Sequence, residues 1–157
     1  EVTDSVDWEV ELAVVIGKAG INIPRARAME HVFGYMVLND VSARDLQRRH
    51  QQFFKGKSLD GFCPMGPAIV TADEIADPHA LGLRCRVNGV VRQQASTRIM
   101  VFDVPMLLQY ITAFMTLEPG DVVLTGTPSG VSPLAVGDVV SVAVDGIGEL
   151  ANPVASC

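Results

Sequence analysis

Asn88-Gly89, set between residues 83–87 and 90–94, constrains this chain more than any other feature. The dipeptide accepts the positive φ angles of a two-residue turn, so the flanking runs are expected to pair as an antiparallel hairpin. A lone hairpin is marginal in water and obliges the rest of the chain to supply more strands. Residues 9–16 (EVELAVVI) are β-branched and apolar and stop at Gly17-Lys18-Ala19-Gly20; residues 32–38 (VFGYMVL) stop at Asn39-Asp40. Pro119-Gly120-Asp121 introduces a strand over 122–125, Gly137-Asp138 one over 139–144, and Asp145-Gly146 turns into a last strand near Glu149.

Helical signals are fewer. Pro24 opens a short helix through about His31, where its missing N–H does no harm. Ser42 and Asp45 have capping-box spacing and predict a helix through about His50. Asp103 caps a helix from Val104 to about Met115, with Val104, Leu107, Leu108, Ile111 and Met115 on one face. Residues 51–67, punctuated by Gly and Pro, read as a loop. The expected class is α+β, mostly β.

Composition narrows the function. Of 157 residues 48% are hydrophobic, enough for a core, while only 19% are charged, below the ~25% usual for soluble domains. Part of the surface is therefore expected to be covered in an oligomer. Twelve basic against 18 acidic residues give −6 with no basic block, which excludes nucleic acid as a natural partner. The longest strongly apolar run, residues 12–16, is far short of the ~18 needed to span a membrane. No basic n-region with an apolar stretch is visible at the start. Cys63, Cys85 and Cys157 are odd in number and form no Cys-x-x-Cys, so reduced thiols and a cytoplasmic location are expected.

Glu9 and Glu11 are two apart in a strand and so share a face, side by side in an apolar segment. Buried there, they need a cation or a raised pKa; at an exposed strand start beside Trp8, they would simply meet water. Asp40, at a strand end before a helix, can reach a ligand or merely favour the helix dipole. Three carboxylates without histidine or thiolate companions would favour a hard ion such as Mg²⁺ or Mn²⁺ over zinc. Arg44 and Gln47 are neighbours on one helix face, and Lys57 follows in Gly-Lys-Ser; a solvated helix face and a mobile loop lysine are the plain alternatives. The Gly-Lys-Ser is no phosphate-binding Walker loop, because Gln51 stands where its first glycine belongs. Gly126-Thr127-Pro128-Ser129-Gly130 is out of register for a Gly-x-Ser-x-Gly nucleophile elbow. Thr125-Gly126-Thr127 offers hydroxyls and N–H groups suited to gripping a carboxylate, or is a plain strand end. His31 and His79 read as surface residues, and His50 is a faint candidate base.

The stretch from Asp7 to Lys18, the run Gly34-Tyr35 through Gln47, Phe54 to Ser58, Cys63 to Pro67 and Glu118 to Pro128 closely resemble, in order and spacing, the fumarylacetoacetate hydrolase family. The resemblance spans nearly the whole chain. It implies a mixed β-sandwich roll that forms a homodimer, with Glu9, Glu11 and Asp40 as ligands to Mg²⁺, or alternatively Mn²⁺. It also implies substrate contacts from Arg44, Gln47, Lys57 and Thr127. Family members usually precede the Glu-x-Glu strand with a lid carrying a His–Glu pair that activates water. Here residues 1–157 are expected to form a single catalytic domain without that lid.

The implied activity is Mg²⁺-dependent hydrolysis of a C–C bond in a 2,4-dioxo acid of the acylpyruvate type, through a metal-chelated enolate. In it, Lys57 adds positive charge at the reacting oxygen and Arg44 holds a distal carboxylate. The alternative is an isomerase or decarboxylase acting on a 2-hydroxyhepta-2,4-diene-1,7-dioate or oxaloacetate in aromatic catabolism. A non-catalytic metal-binding dimerisation domain is the reading from a different class.

Overall fold

The computed structural model describes residues 2–156. Ten strands and three short α-helices build it: β1 (Val6–Asp7), β2 (Val10–Ile16), β3 (Val32–Asn39), β4 (Ser42–Ala43), α1 (Arg44–His50), α2 (Phe54–Lys57), β5 (Met65–Thr71), β6 (Gly82–Val87), β7 (Val90–Ser96), α3 (Val104–Thr112), β8 (Val122–Leu124), β9 (Val139–Val144) and β10 (Gly148–Pro153). They form two four-stranded sheets, ordered β5-β3-β2-β8 and β10-β9-β6-β7, with a small β1-β4 pair at one end. Every pairing between these strands is antiparallel.

Period-two alternation creates the sandwich. Trp8, Val10, Leu12, Val14 and Ile16 turn one way and meet Leu83, Cys85, Val87, Val140, Val142 and Val144 of the other sheet in a single cluster. Ala13 and Val15 turn the other way and pack with Met36 and Leu38 in a second, smaller cluster. Both faces of β2 are thus buried along its whole length. The expected mostly β sandwich with a few short helices is what forms.

The Asn88-Gly89 hairpin forms as β6 and β7, with Asn88 at φ 52° and Gly89 at φ 78°. Asp103 caps α3 by accepting from the Met106 amide at 2.8 Å, but the helix stops at Thr112 and leaves Met115 exposed. Residues 25–31 form a 3₁₀ helix rather than an α-helix. The Ser42–Asp45 capping box does not form. Ser42 and Ala43 instead pair with Asp7 and Val6, the Ser42 hydroxyl donates to the Asp40 carbonyl at 3.1 Å, and the Asp45 carboxylate accepts from Thr3. The segment expected to be a loop contains α2 and the start of β5. Cys63 is a half-buried and Cys85 a buried free thiol; Cys157 lies outside the described residues. No helix among the described residues is long and apolar enough to cross a membrane.

Candidate metal centre

Four short segments deliver the site. β1, β2 and the Trp8-Glu9 link between them carry Asp7, Glu9 and Glu11, three carboxylates at alternate positions. The β3 end presents Asp40, whose amide donates to the Glu9 carbonyl at 2.9 Å, while Asn39 Oδ1 accepts from the Glu9 amide at 2.9 Å. These two bonds lock the ends of neighbouring strands so that Asp40 stands beside the glutamates. Glu9, Glu11 and Asp40 each offer an oxygen within 4.8 Å of the other two. At 7%, 2% and 6% exposure they are buried, as is Trp8, so the reading of a solvated strand start is excluded.

Two cations enter this cluster. Arg44, first residue of α1, donates from Nε to Asp7 at 2.9 Å, from one terminal nitrogen to Glu9 and from the other to Gln47 Oε1 at 3.0 Å. The Arg44–Gln47 pairing on one helix face is as expected. Lys57, in the last turn of α2 rather than in a mobile loop, donates to Glu9 at 2.9 Å and to Asp40. With Asp7, Glu9, Glu11 and Asp40 ionised, four negative charges face two positive ones, leaving two uncompensated. An all-oxygen donor set carrying that excess fits a divalent cation.

The electrostatics agree. Burial pushes the Glu11 carboxyl up to about 8; a hydrogen bond from the Gly126 amide opposes the rise, and the nearby charges of Asp40 and Glu9 add to it. Asp40 is raised for the same leading reason, burial, against the pull of Lys57. Burial works against the charged forms of Arg44 and Lys57, but their carboxylate partners outweigh it and both are held above their ordinary values.

Thr125-Gly126-Thr127 does grip a carboxylate, and it is the protein's own. The Gly126 amide donates to Glu11 at 2.7 Å, with Gly126 at φ 93°, a conformation that an L side chain resists. The Thr127 hydroxyl is engaged internally: it donates to the Val10 carbonyl at 2.9 Å and accepts from Gln93 at 3.0 Å. His50 is exposed at the end of α1. His31 is buried rather than superficial, its Nδ1 donating to the Lys18 carbonyl at 2.9 Å, and His79 accepts the Val104 amide at the start of α3. Asp7, Asn39 and Gln93 were not anticipated. Asp7 shares the parity of Glu9 and Glu11, a signal present in the chain; the partners of Asn39 and Gln93 emerge only on folding.

The model of the C-terminal domain of fumarylacetoacetate hydrolase matches residues 1–155. The chain belongs to the fumarylacetoacetate hydrolase family. Oxaloacetate tautomerase YisK of Bacillus subtilis is 49% identical over 161 residues, covering 98% of this chain and 54% of that protein. The crystal structure of 2-hydroxyhepta-2,4-diene-1,7-dioate isomerase from Mycobacterium marinum has a TM-score of 0.93 at 48% identity, over 98% of this chain and 60% of that one. Maleylpyruvate hydrolase from Sphingobium sp. SYK-6, in complex with manganese(II) and pyruvate, has a TM-score of 0.89 at 41% identity, over 96% and 55%. The chain thus spans about half the length of the curated relatives it matches. Within the fumarylacetoacetate hydrolase family the relatives' reactions differ, while the sandwich that holds the acidic cluster is common to the matched structures.

Proposed function

We propose that this chain is the catalytic part of a divalent-metal-dependent isomerase that interconverts keto and enol forms of a small 2-oxo acid, with oxaloacetate as the first substrate to test. The observation that carries the reading is Lys57 wired to Glu9 and Asp40 beside Glu11, an ammonium group set directly on a divalent-cation cluster. The names of the tautomerase and isomerase relatives support it. Glu9, Glu11 and Asp40 would hold Mg²⁺ or Mn²⁺, which when bound supplies Lewis-acid polarisation of the 2-oxo group.

The chain's own groups do the rest. Enolisation transfers a proton from C3 to the 2-oxo oxygen: the C3–H electron pair becomes the C2–C3 double bond, the carbonyl π pair becomes the new O–H bond, and negative charge gathers on that oxygen until the proton arrives. Lys57 uses two of its three N–H donors on Glu9 and Asp40; the third is available to that oxygen. Arg44 spends three of its five donors on Asp7, Glu9 and Gln47. Its main task is to neutralise the carboxylate row, and two donors remain for a substrate carboxylate. Gln47, oriented by Arg44 through its oxygen, keeps its amide hydrogens for substrate. Because the Thr127 hydroxyl is occupied, a contact from this residue falls to its main chain.

Hydrolysis of a C–C bond in a 2,4-dioxo acid is the second reading, favoured by the likeness to maleylpyruvate hydrolase. It requires a positioned, activated water in addition to enolate stabilisation. The deciding assay follows the ultraviolet absorbance of enol-oxaloacetate with protein and Mg²⁺ or Mn²⁺, beside acylpyruvate cleavage. Tautomerisation well above free metal, falling about 10²- to 10³-fold in Lys57→Met, is expected. No rate above free metal, or an unaltered rate in Lys57→Met, would overturn the proposal. The proposal also includes a homodimer. Met106, Tyr110 and Phe114, spaced by four along and just beyond α3, leave an exposed apolar stripe in keeping with it. Light scattering at micromolar concentration should return twice the chain mass; a monomer would remove this part.

A further inference from the structure

The edge of β2 that carries the acidic pair is not closed by a strand. β8 pairs with β2 only from Ala13 to Val15, so the backbone groups of Val10 and Leu12 lie beyond the ladder. Such groups must find partners when buried. Side chains serve them, joined at Leu12 by one main-chain bond, from the Thr125 amide to the Leu12 carbonyl at 3.3 Å. The Leu12 carbonyl accepts from the Thr125 hydroxyl at 2.8 Å, the Val10 carbonyl from the Thr127 hydroxyl at 2.9 Å, and the Val10 amide donates to Gln93 Oε1 at 3.2 Å. The segment after β8 is thus held to β2 on both sides of Gly126, by Thr125 and by the Thr127 hydroxyl, and the Gly126 amide between them donates to the Glu11 carboxylate.

Gln93 closes this arrangement from the opposite sheet. It lies on β7 at 1% exposure, between exposed Arg92 and Gln94, and faces Cys85 across the hairpin. A regular two-residue hairpin would put Arg92 opposite Cys85. The register shift between Cys85 and Arg86 brings Gln93 there instead. Its Nε2 donates to Thr127 Oγ1 at 3.0 Å and to the Pro128 carbonyl at 2.7 Å. The amide orientation is settled by chemistry: the Val10 N–H can only donate and the Pro128 carbonyl can only accept. One buried side chain therefore ties the residue between Glu9 and Glu11 to the two residues that follow the Glu11-binding glycine.

We propose that Gln93 is a positioning residue for the Glu9–Glu11 pair, holding β2 and the Thr125–Pro128 segment in the spacing that lets both carboxylates reach one cation. The inference rests on the metal-site reading above. Gln93 touches no carboxylate; it acts through Val10 and Thr127. Loss of an outer partner of this kind weakens metal binding about 10- to 100-fold.

The test measures the Mn²⁺ Kd by titration calorimetry, together with the Mn²⁺ spin-resonance spectrum of the loaded protein, for wild type, Gln93→Met, Thr127→Val and the double variant. Gln94→Met, on the solvent side of the same strand, is the control. Methionine keeps the volume of Gln93 and removes its hydrogen bonds. Gln93→Met should bind Mn²⁺ at least tenfold more weakly with an altered spectrum. Thr127→Val, which breaks the same link should Gln93→Met fail to fold, should weaken it in the same direction, and the double variant should lose less than the two losses combined. Wild-type binding with both single variants within twofold of it would overturn the role of Gln93 alone. A wild type that binds no Mn²⁺ would overturn the metal reading and this inference with it.

Discussion

The two faces of β2 are built from the same seven residues and their immediate neighbours, yet they solve opposite problems. On the inner face Trp8, Val10, Leu12, Val14 and Ile16 are all apolar and join the core shared by both sheets. On the outer face Asp7, Glu9 and Glu11 give way to Ala13 and Val15, so a row of buried carboxylates runs directly into an apolar cluster. The inner face stabilises the sandwich through burial of apolar surface. The outer face places charge where water is scarce, which costs stability unless cations answer it. Rigidity bought on one side of a strand holds a strained charge distribution on the other.

Truncating the inner face should have the largest effect. Leu12 is fully buried, and Leu12→Ala should cost about 2–5 kcal/mol in denaturant unfolding. A loss under 1 kcal/mol would mean that the inter-sheet core tolerates a cavity at its centre and that the two faces differ less than described. The outer face should answer to pH instead. Glu11 ionises near its ordinary value of 4.5 when unfolded but near 8 when folded. Between those values the unfolded chain releases a proton that the folded chain keeps, so metal-free stability should fall as pH rises from about 4.5 to 8 and level off above. Glu11→Gln should flatten that part of the profile and melt at or above wild type at pH 9 without metal. A wild-type profile indistinguishable from that of Glu11→Gln would show that Glu11 carries no buried charge.

What could be read in advance follows the same division. The inner face, the hairpin and the capped helix α3 rest on local pattern, and the chain displays them openly. β5 was hidden because Gly66 and Pro67 interrupt it. A proline is tolerated there since β5 lies at the sheet edge, where a missing N–H breaks no ladder on the open side. α2 was hidden because Phe54-Lys55-Gly56-Lys57 has neither a cap nor a period. Gly56 is required by tertiary contact, for a Cβ there would meet the Ala43 carbonyl at 2.9 Å. The capping-box reading failed at Ser42 because pairing with β1 claimed its backbone. Glu9, Glu11, Asp40, Arg44, Gln47 and Lys57 are legible in the pattern of the chain, and the fold brings them together. Thr127 joins them through its backbone neighbour Gly126 and its engaged hydroxyl, not as a free donor. Gln93 was invisible because an extra residue in β7, not its spacing from the turn, decides which side chain faces inward.

We propose the outer face of β2, with Asp40, as a divalent-cation site. Thermal melts of the wild type and Asp40→Asn at pH 7.5, with chelator and then with millimolar Mg²⁺ or Mn²⁺, test it directly. Wild type should be stabilised by roughly 2.7 kcal/mol when the ion stands at a hundredfold excess over its Kd, and Asp40→Asn should lose most of that gain. A wild-type melting temperature unmoved by either ion, or an equal shift in Asp40→Asn, would contradict it.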